Sequence, residues 1–171
     1  DCKICMNYMK QKSVDVDMTA ATKADVKFIR LYSYGGNVDF SLLEGYPNPG
    51  FLPKIFTVKG HIDERISCFI SDNLLRMNII DNRNIQDLSF LEKAPHLQEL
   101  YLSNLPGITT LPLSKLPQLS VLRIEELHKL TDIASLAQSN IQYLEIKLSA
   151  DKISATRMAD VLLRMPSLKA L

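Results

Sequence analysis

An apolar pattern that recurs about every 22 residues constrains this chain more than any other feature. Leu97, Leu100, Leu102 and Leu105 have the spacing LxxLxLxxL, and Leu119, Leu122, Ile124 and Leu127 repeat it 22 residues later. Ile141, Leu144 and Ile146 follow after another 22. Upstream, Leu74, Met77, Ile79 and Asn82 stand 23 residues earlier, with Leu52, Ile55 and Thr57 a further 22 before them. Val26, Ile29, Leu31 and Tyr34 precede those by 26, and Leu168 and Leu171 open one more unit 27 residues after Ile141. The second half of the unit also recurs, as Ile85-Gln86-Asp87-Leu88, Ile108-Thr109-Thr110-Leu111 and Leu130-Thr131-Asp132-Ile133.

Each unit implies a short strand. Leu100-Tyr101-Leu102 and Leu122-Arg123-Ile124 alternate apolar and polar residues, which buries one face of a strand and exposes the other. A period of this length returns the chain to its starting edge, so successive strands pair in parallel. One unit cannot cover its own apolar face. Stacked units bury a continuous core, to which each buried Leu or Ile contributes about 1.5–3 kcal/mol. Pro95, Pro106, Pro112, Pro117 and Pro166 all fall outside the strand positions, as residues without an N–H must.

These residues resemble the leucine-rich repeats, and the units over 74–140 are most similar to the 22-residue class typified by bacterial internalins. The resemblance covers residues 26–171. It implies an α/β solenoid of about six repeats, with a parallel concave sheet and short helices or 3-10 turns on the convex side. The chain departs from the family at Thr57 and Gly60, which replace apolar positions, and in its asparagine ladder. Asn82 fits the ladder position, whereas Tyr34, Leu105 and Leu127 occupy its equivalents. Where the asparagine amide is missing, apolar packing and local backbone bonds must close the turn.

Residues 86–94 and 132–139 read as short helical or 3-10 turns. Met158, Val161, Leu162 and Met165 have helical spacing, predicting a helix that is capped near Ser154 and stopped before Pro166. Residues 40–44 read as another short helix, ended by Gly45 and the Pro47/Pro49 turn. Residues 1–25 do not fit the repeat and are expected to cap the array, with a short helix over Cys2–Met9 and a strand pattern at Val14, Val16 and Met18. The last unit begins a strand and stops at Leu171, the pattern of a truncated or uncapped array.

Charge narrows the function. Twenty Lys and Arg stand against 19 Asp and Glu, a net charge of +1, which argues against a dedicated nucleic-acid binder. The chain is 46% hydrophobic, too apolar for wholesale disorder, yet no run approaches the roughly 20 apolar residues of a membrane helix. No membrane insertion is expected. Three cysteines, Cys2, Cys5 and Cys68, cannot all pair within one chain, which favours a reducing, cytoplasmic setting. A secreted or surface location stays open, since the chain begins with Asp and a leader removed upstream would leave no trace.

Catalytic and metal chemistry find little support. Cys2 and Cys5 form a lone CxxC, which supplies two of the four ligands a structural zinc needs. His61, His96 and His128 fall in separate repeats. Tyr34-Gly35-Gly36-Asn37 reads as a turn, without the spacing or the Lys-Ser/Thr of a phosphate loop. His61-Ile62-Asp63-Glu64 gathers a His and two carboxylates on a turn, where nothing fixes or desolvates them for acid–base work. The chain is therefore expected to be no enzyme and to need no cofactor and no metal.

The outward strand positions carry the functional reading. In order they are Phe28, Arg30, Tyr32; Lys54, Phe56, Val58; Arg76, Asn78, Ile80; Glu99, Tyr101, Ser103; Val121, Arg123, Glu125; and Tyr143, Glu145, Lys147. Arginine and aromatic anchors are the composition of protein-binding hot spots. Arg30, Tyr32, Phe56, Arg76, Asn78, Tyr101, Arg123 and Tyr143 are the candidate contacts for a protein partner. Two alternatives exist for the first units: the N-terminal segment covers Phe28, Phe56 and Val58, or the register slips there. The resemblance implies a non-catalytic interaction module that uses its concave face. It leaves open the recognition part of a larger enzyme, such as a bacterial effector ubiquitin ligase, or a surface adhesion module.

Overall fold

Alternation places a buried residue at every second strand position, and in this chain those residues stand side by side across the sheet. The computed structural model describes residues 2–8, 26–33, 53–60, 62, 64–148 and 153–171. The strand pattern at Val14, Val16 and Met18, the turn Tyr34-Gly35-Gly36-Asn37, the helix expected over 40–44, and His61 and Asp63 lie outside the described residues, as do the side chains of Cys2, Cys5 and Phe28.

Seven strands form one all-parallel sheet in chain order: β1 (Cys2–Tyr8), β2 (Val26–Ser33), β3 (Ile55–Gly60), β4 (Arg76–Ile80), β5 (Glu99–Ser103), β6 (Val121–Glu125) and β7 (Tyr143–Lys147). Met77, Leu100, Leu122 and Leu144 are mutual register partners, as are Ile79, Leu102, Ile124 and Ile146. All of these are buried except Ile146, which is half-buried. Short 3-10 turns follow the strands at Glu64–Phe69, Ser89–Lys93, Leu113–Lys115 and Ala134–Gln138, and their Ile66, Leu91, Leu113 and Leu136 close the core from the other side. The expected turns within 86–94 and 132–139 are thus present. The last connection is the α-helix α1 (Ala155–Leu162), where the Ser154 hydroxyl caps the N-terminus by accepting from the Arg157 N–H at 3.2 Å.

A recurring backbone bond explains why the units stack in register. The carbonyl of Leu75 accepts from the N–H groups of both Gln98 and Glu99, that of Gln98 from Ser120 and Val121, and that of Ser120 from Gln142 and Tyr143. Gln142 repeats the arrangement with Lys169 and Ala170, so the residues after α1 re-enter the sheet edge beside Tyr143. The turn at the end of each of β3, β4, β5 and β6 is left-handed. Gly60, Asp81, Asn104 and Glu126 occupy the same place with φ of 94°, 53°, 51° and 55°. Asn82 is wholly buried and binds the turn's backbone as the ladder position requires. Its amide donates to the Ile62 carbonyl at 2.7 Å, and its Oδ1 accepts from the N–H groups of Asn84 and Ile85. At the equivalent places Leu105 and Leu127 are buried apolar fillers. Adjacent units approach closely at Gly107, where a Cβ would sit 2.6 Å from the Ile85 carbonyl oxygen.

Two expectations are corrected. Cys2–Tyr8 is a strand, not a helix. It pairs in parallel with β2, Ile4 beside Ile29 and Met6 beside Leu31, so the sheet extends into the segment assigned to a cap. In β3 the register is shifted by one residue. Phe56 and Val58 are fully buried, paired with Met77 and Ile79, whereas Ile55, Thr57 and Lys59 take the outward places. Phe56 is therefore not a surface contact; its ring packs against Phe69 with centroids 5.4 Å apart. A one-residue shift inverts every side chain of a strand, and placing Phe and Val in the core in place of Ile and Thr is the favourable choice; Thr57, on the other face, is itself only 6% exposed.

Candidate functional site

Opposite the 3-10 turns, the sheet presents a face on which long polar and aromatic side chains lie in three rows. The central row runs Arg30, Thr57, Asn78, Tyr101, Arg123, Glu145. On one side run Ile55, Arg76, Glu99, Val121 and Tyr143; on the other, Tyr32, Lys59, Ile80, Ser103, Glu125 and Lys147. Strands about 4.8 Å apart make neighbouring members of a row direct contacts. Seven of the eight candidate residues share this face. Arg30, Arg76 and Arg123 are exposed, Tyr32, Asn78 and Tyr101 are half-buried, and Tyr143 is among the most exposed large apolar side chains at 36%. The eighth, Phe56, is replaced in the central row by Thr57, whose hydroxyl accepts from the Asn78 amide at 2.9 Å.

Cross-strand bonds hold this face in place. Arg76 Nη2 lies 2.6 Å from Glu99 Oε1, and Lys59 Nζ lies 3.2 Å from the Asp81 carboxylate. The Tyr101 hydroxyl donates to Glu125 at 2.7 Å. Lys147 reaches both Glu125 at 2.8 Å and Glu145 at 3.0 Å, and Arg123 Nε stands 3.5 Å from Glu145. The Arg123 guanidinium also lies over the Tyr143 ring, 5.5 Å from its centroid. Tyr101, Glu125, Lys147, Glu145 and Arg123 thus form a continuous network over β5, β6 and β7. Glu99, Glu125, Glu145 and Lys147 were legible as outward positions but do not figure among the candidates, because only the structure shows that they orient the arginines and Tyr101.

The network sets the charge states. The Lys147 ammonium and then the Tyr101 hydroxyl hold the Glu125 carboxyl below the usual carboxylate range. Burial, followed by the Glu125 bond, pushes the Tyr101 phenol up. Glu125 and Glu145 together raise Lys147. Asp81 is lowered by the Asn104 amide and by Lys59. All these groups are charged in their ordinary sense at neutral pH, apart from the neutral phenol, so none is poised for acid–base exchange there. Between Arg76, Asn78, Glu99, Tyr101, Val121 and Arg123 the face dips into an open depression of about 230 Å3.

Other chemistry-bearing residues lie apart from this face. Cys68, within the Glu64–Phe69 turn, is half-buried, and burial raises its thiol pKa. Among the described residues no group of three or more His, Cys, Asp or Glu is placed to hold a metal ion. None of the described helices is long and apolar enough to cross a membrane. In comparisons with known proteins, the chain matches no family model and no curated sequence.

Proposed function

We propose that this chain is a non-catalytic leucine-rich repeat module that binds a protein partner through the open face of its sheet, the concave face of such an array. The observation that carries this reading is the set of arginine and aromatic side chains on that face, oriented by cross-strand bonds before any partner arrives. Side chains already fixed lose little entropy on binding, so more of the contact energy appears as affinity. Aromatics with a polar rim are the usual anchors of such contacts.

The test compares proteins captured by the wild-type chain with those captured by a Tyr101→Ala/Tyr143→Ala double variant. A specific partner should bind the double variant at least about tenfold more weakly, since each buried aromatic anchor carries about 2 kcal/mol or more. Urea melts of the variant should stay near wild type, because both rings lie outside the core. Lys115→Ala and Gln138→Ala, on the opposite side, should leave binding intact. Loss with those two changes and not with the aromatic pair would place the partner on the 3-10 side and refute the reading.

A further inference from the structure

Charge is unevenly divided across the open face. No Asp or Glu occupies an outward position of β2, β3 or β4, where Arg30, Lys59 and Arg76 stand, although Asp81, directly after β4, pairs with Lys59. Glu99, Glu125 and Glu145 all lie on β5, β6 and β7, with Arg123 and Lys147 among them. The central depression marks the border between the two halves. Arg76 lines it from β4 and Arg123 from β6, two strands apart and offset by two residues along the sheet. Arg76 commits Nη2 to Glu99, and Arg123 commits Nε to Glu145. Among the described residues their remaining N–H groups have no hydrogen-bond partner. A planar guanidinium with donors to spare matches a carboxylate through two parallel bonds. The Asn78 amide and the Tyr101 ring complete a lining of net charge +1, with Glu99 the one carboxylate in it and Glu145, the ion-pair partner of Arg123, outside it.

We infer that the partner presents an acidic segment, which lies over β2–β4 and seats a carboxylate side chain in the depression between Arg76 and Arg123. This rests on the reading of the open face as the binding face and adds the chemistry of what binds there. Glu99 orients Arg76 without neutralising the depression, so an incoming carboxylate meets guanidinium donors already aimed. The acidic half, β5–β7, sets direction, since it repels a segment that lies along the sheet with its carboxylates over Glu99, Glu125 and Glu145. A polynucleotide fits less well, because its continuous phosphate charge would run over those same carboxylates.

The probe is a short fluorescein-labelled peptide of alternating glutamate and serine. Its glutamine and lysine counterparts and a single-stranded oligonucleotide of similar length serve as controls, all read by fluorescence anisotropy. The glutamate peptide should bind the wild-type chain at least about tenfold more tightly than the glutamine peptide. Raising the ionic strength from about 0.1 M to about 1 M, which shortens the Debye length from about 10 Å to about 3 Å, should weaken that binding. Arg76→Glu and Arg123→Glu should each abolish the preference, while Lys115→Glu on the other side should preserve it. Arg76→Gln removes the charge without repelling Glu99, so it keeps the test valid if the reversal unfolds the chain. Equal or absent binding of the glutamate peptide, equal loss with Lys115→Glu, or tighter binding of the oligonucleotide would overturn the inference. A captured partner that is lost with the Tyr101→Ala/Tyr143→Ala variant but kept by Arg76→Gln would leave the binding face standing and remove only its acidic ligand.

Discussion

At the scale of single residues, the turns that end β3 to β6 show where the chain carries strain. Gly60, Asp81, Asn104 and Glu126 stand in register with left-handed backbone. Glycine takes this conformation freely, and Asp and Asn tolerate it, but a long side chain such as Glu is held there at a cost of about 1–2 kcal/mol. Asp81 and Asn104 also use the position, since the Asn104 amide donates to Asp81 Oδ1 at 3.1 Å. Glu126 is exposed, and among the described residues its side chain has no hydrogen bond or ion pair. Glu126→Asn should therefore raise stability by about 0.5–1 kcal/mol in urea melts. The new amide lies beside Asn104 and is able to extend the row. A loss of stability would mean that the Glu126 side chain contributes more than its backbone strain.

At the scale of elements, the same network that orients the open face makes β5, β6 and β7 respond to pH. The Glu125 carboxyl titrates lower in the folded chain than in the unfolded one, chiefly through Lys147. Between those two values the unfolded chain binds more protons, so stability rises with pH there. The contribution is complete at neutral pH and is lost as pH falls through the folded value. Glu125→Gln should therefore be less stable than wild type at pH 7, and urea melts of the two should converge as pH drops below about 4. The Tyr101 phenol, raised in the folded chain, should titrate closer to an ordinary tyrosine in this variant, though not fully, because burial is the larger cause. A constant gap across acid pH would show that the bond carries no linked stability. The strands of this network were also the most legible ones in the sequence. Leu100, Leu102, Leu122, Ile124 and Leu144 alternate with Tyr101, Arg123 and Glu145, which leaves one register. In β3 every position from Ile55 to Val58 is apolar or Thr, and a constant count from Leu52 pointed the wrong face outward. The local signal was the polar pair Thr57 and Lys59, two apart. Phe56 follows its partner Ile29 by 27 residues and precedes Met77 by 21, so the spacing drifts where the pattern is weakest. The β1 strand was hidden in the same way, because its alternation of Lys3, Cys5 and Asn7 with Ile4 and Met6 sits outside the regular period. The depression was not legible at all, since it depends on which cross-strand partner each long side chain takes.

At the scale of the whole molecule, the order of strands in the sheet is their order in the chain, and each strand pairs with its immediate neighbours in sequence. Stability in such an arrangement is a sum of unit and nearest-neighbour terms, so a lesion should act locally before it acts globally. Leu122 is fully buried between Leu100 and Leu144, whereas Arg123 beside it is exposed. Leu122→Ala removes buried volume and should cost about 2–5 kcal/mol, while Arg123→Ala should cost under about 1 kcal/mol. Amide hydrogen exchange read by mass spectrometry should show where the first loss falls. Protection should drop most in β5, β6, β7 and the turns Leu113–Lys115 and Ala134–Gln138 that cover them. It should drop least in β2 and β3, which lie three or more strands away, about 14 Å or further at the strand spacing. Arg123→Ala should leave the exchange pattern near wild type. Equal losses for the two variants would contradict the register of β6. A uniform drop from β2 to β7 would mean that the sheet opens only as a single unit, and that the stiffness of the open face at Arg76 depends on packing two strands distant.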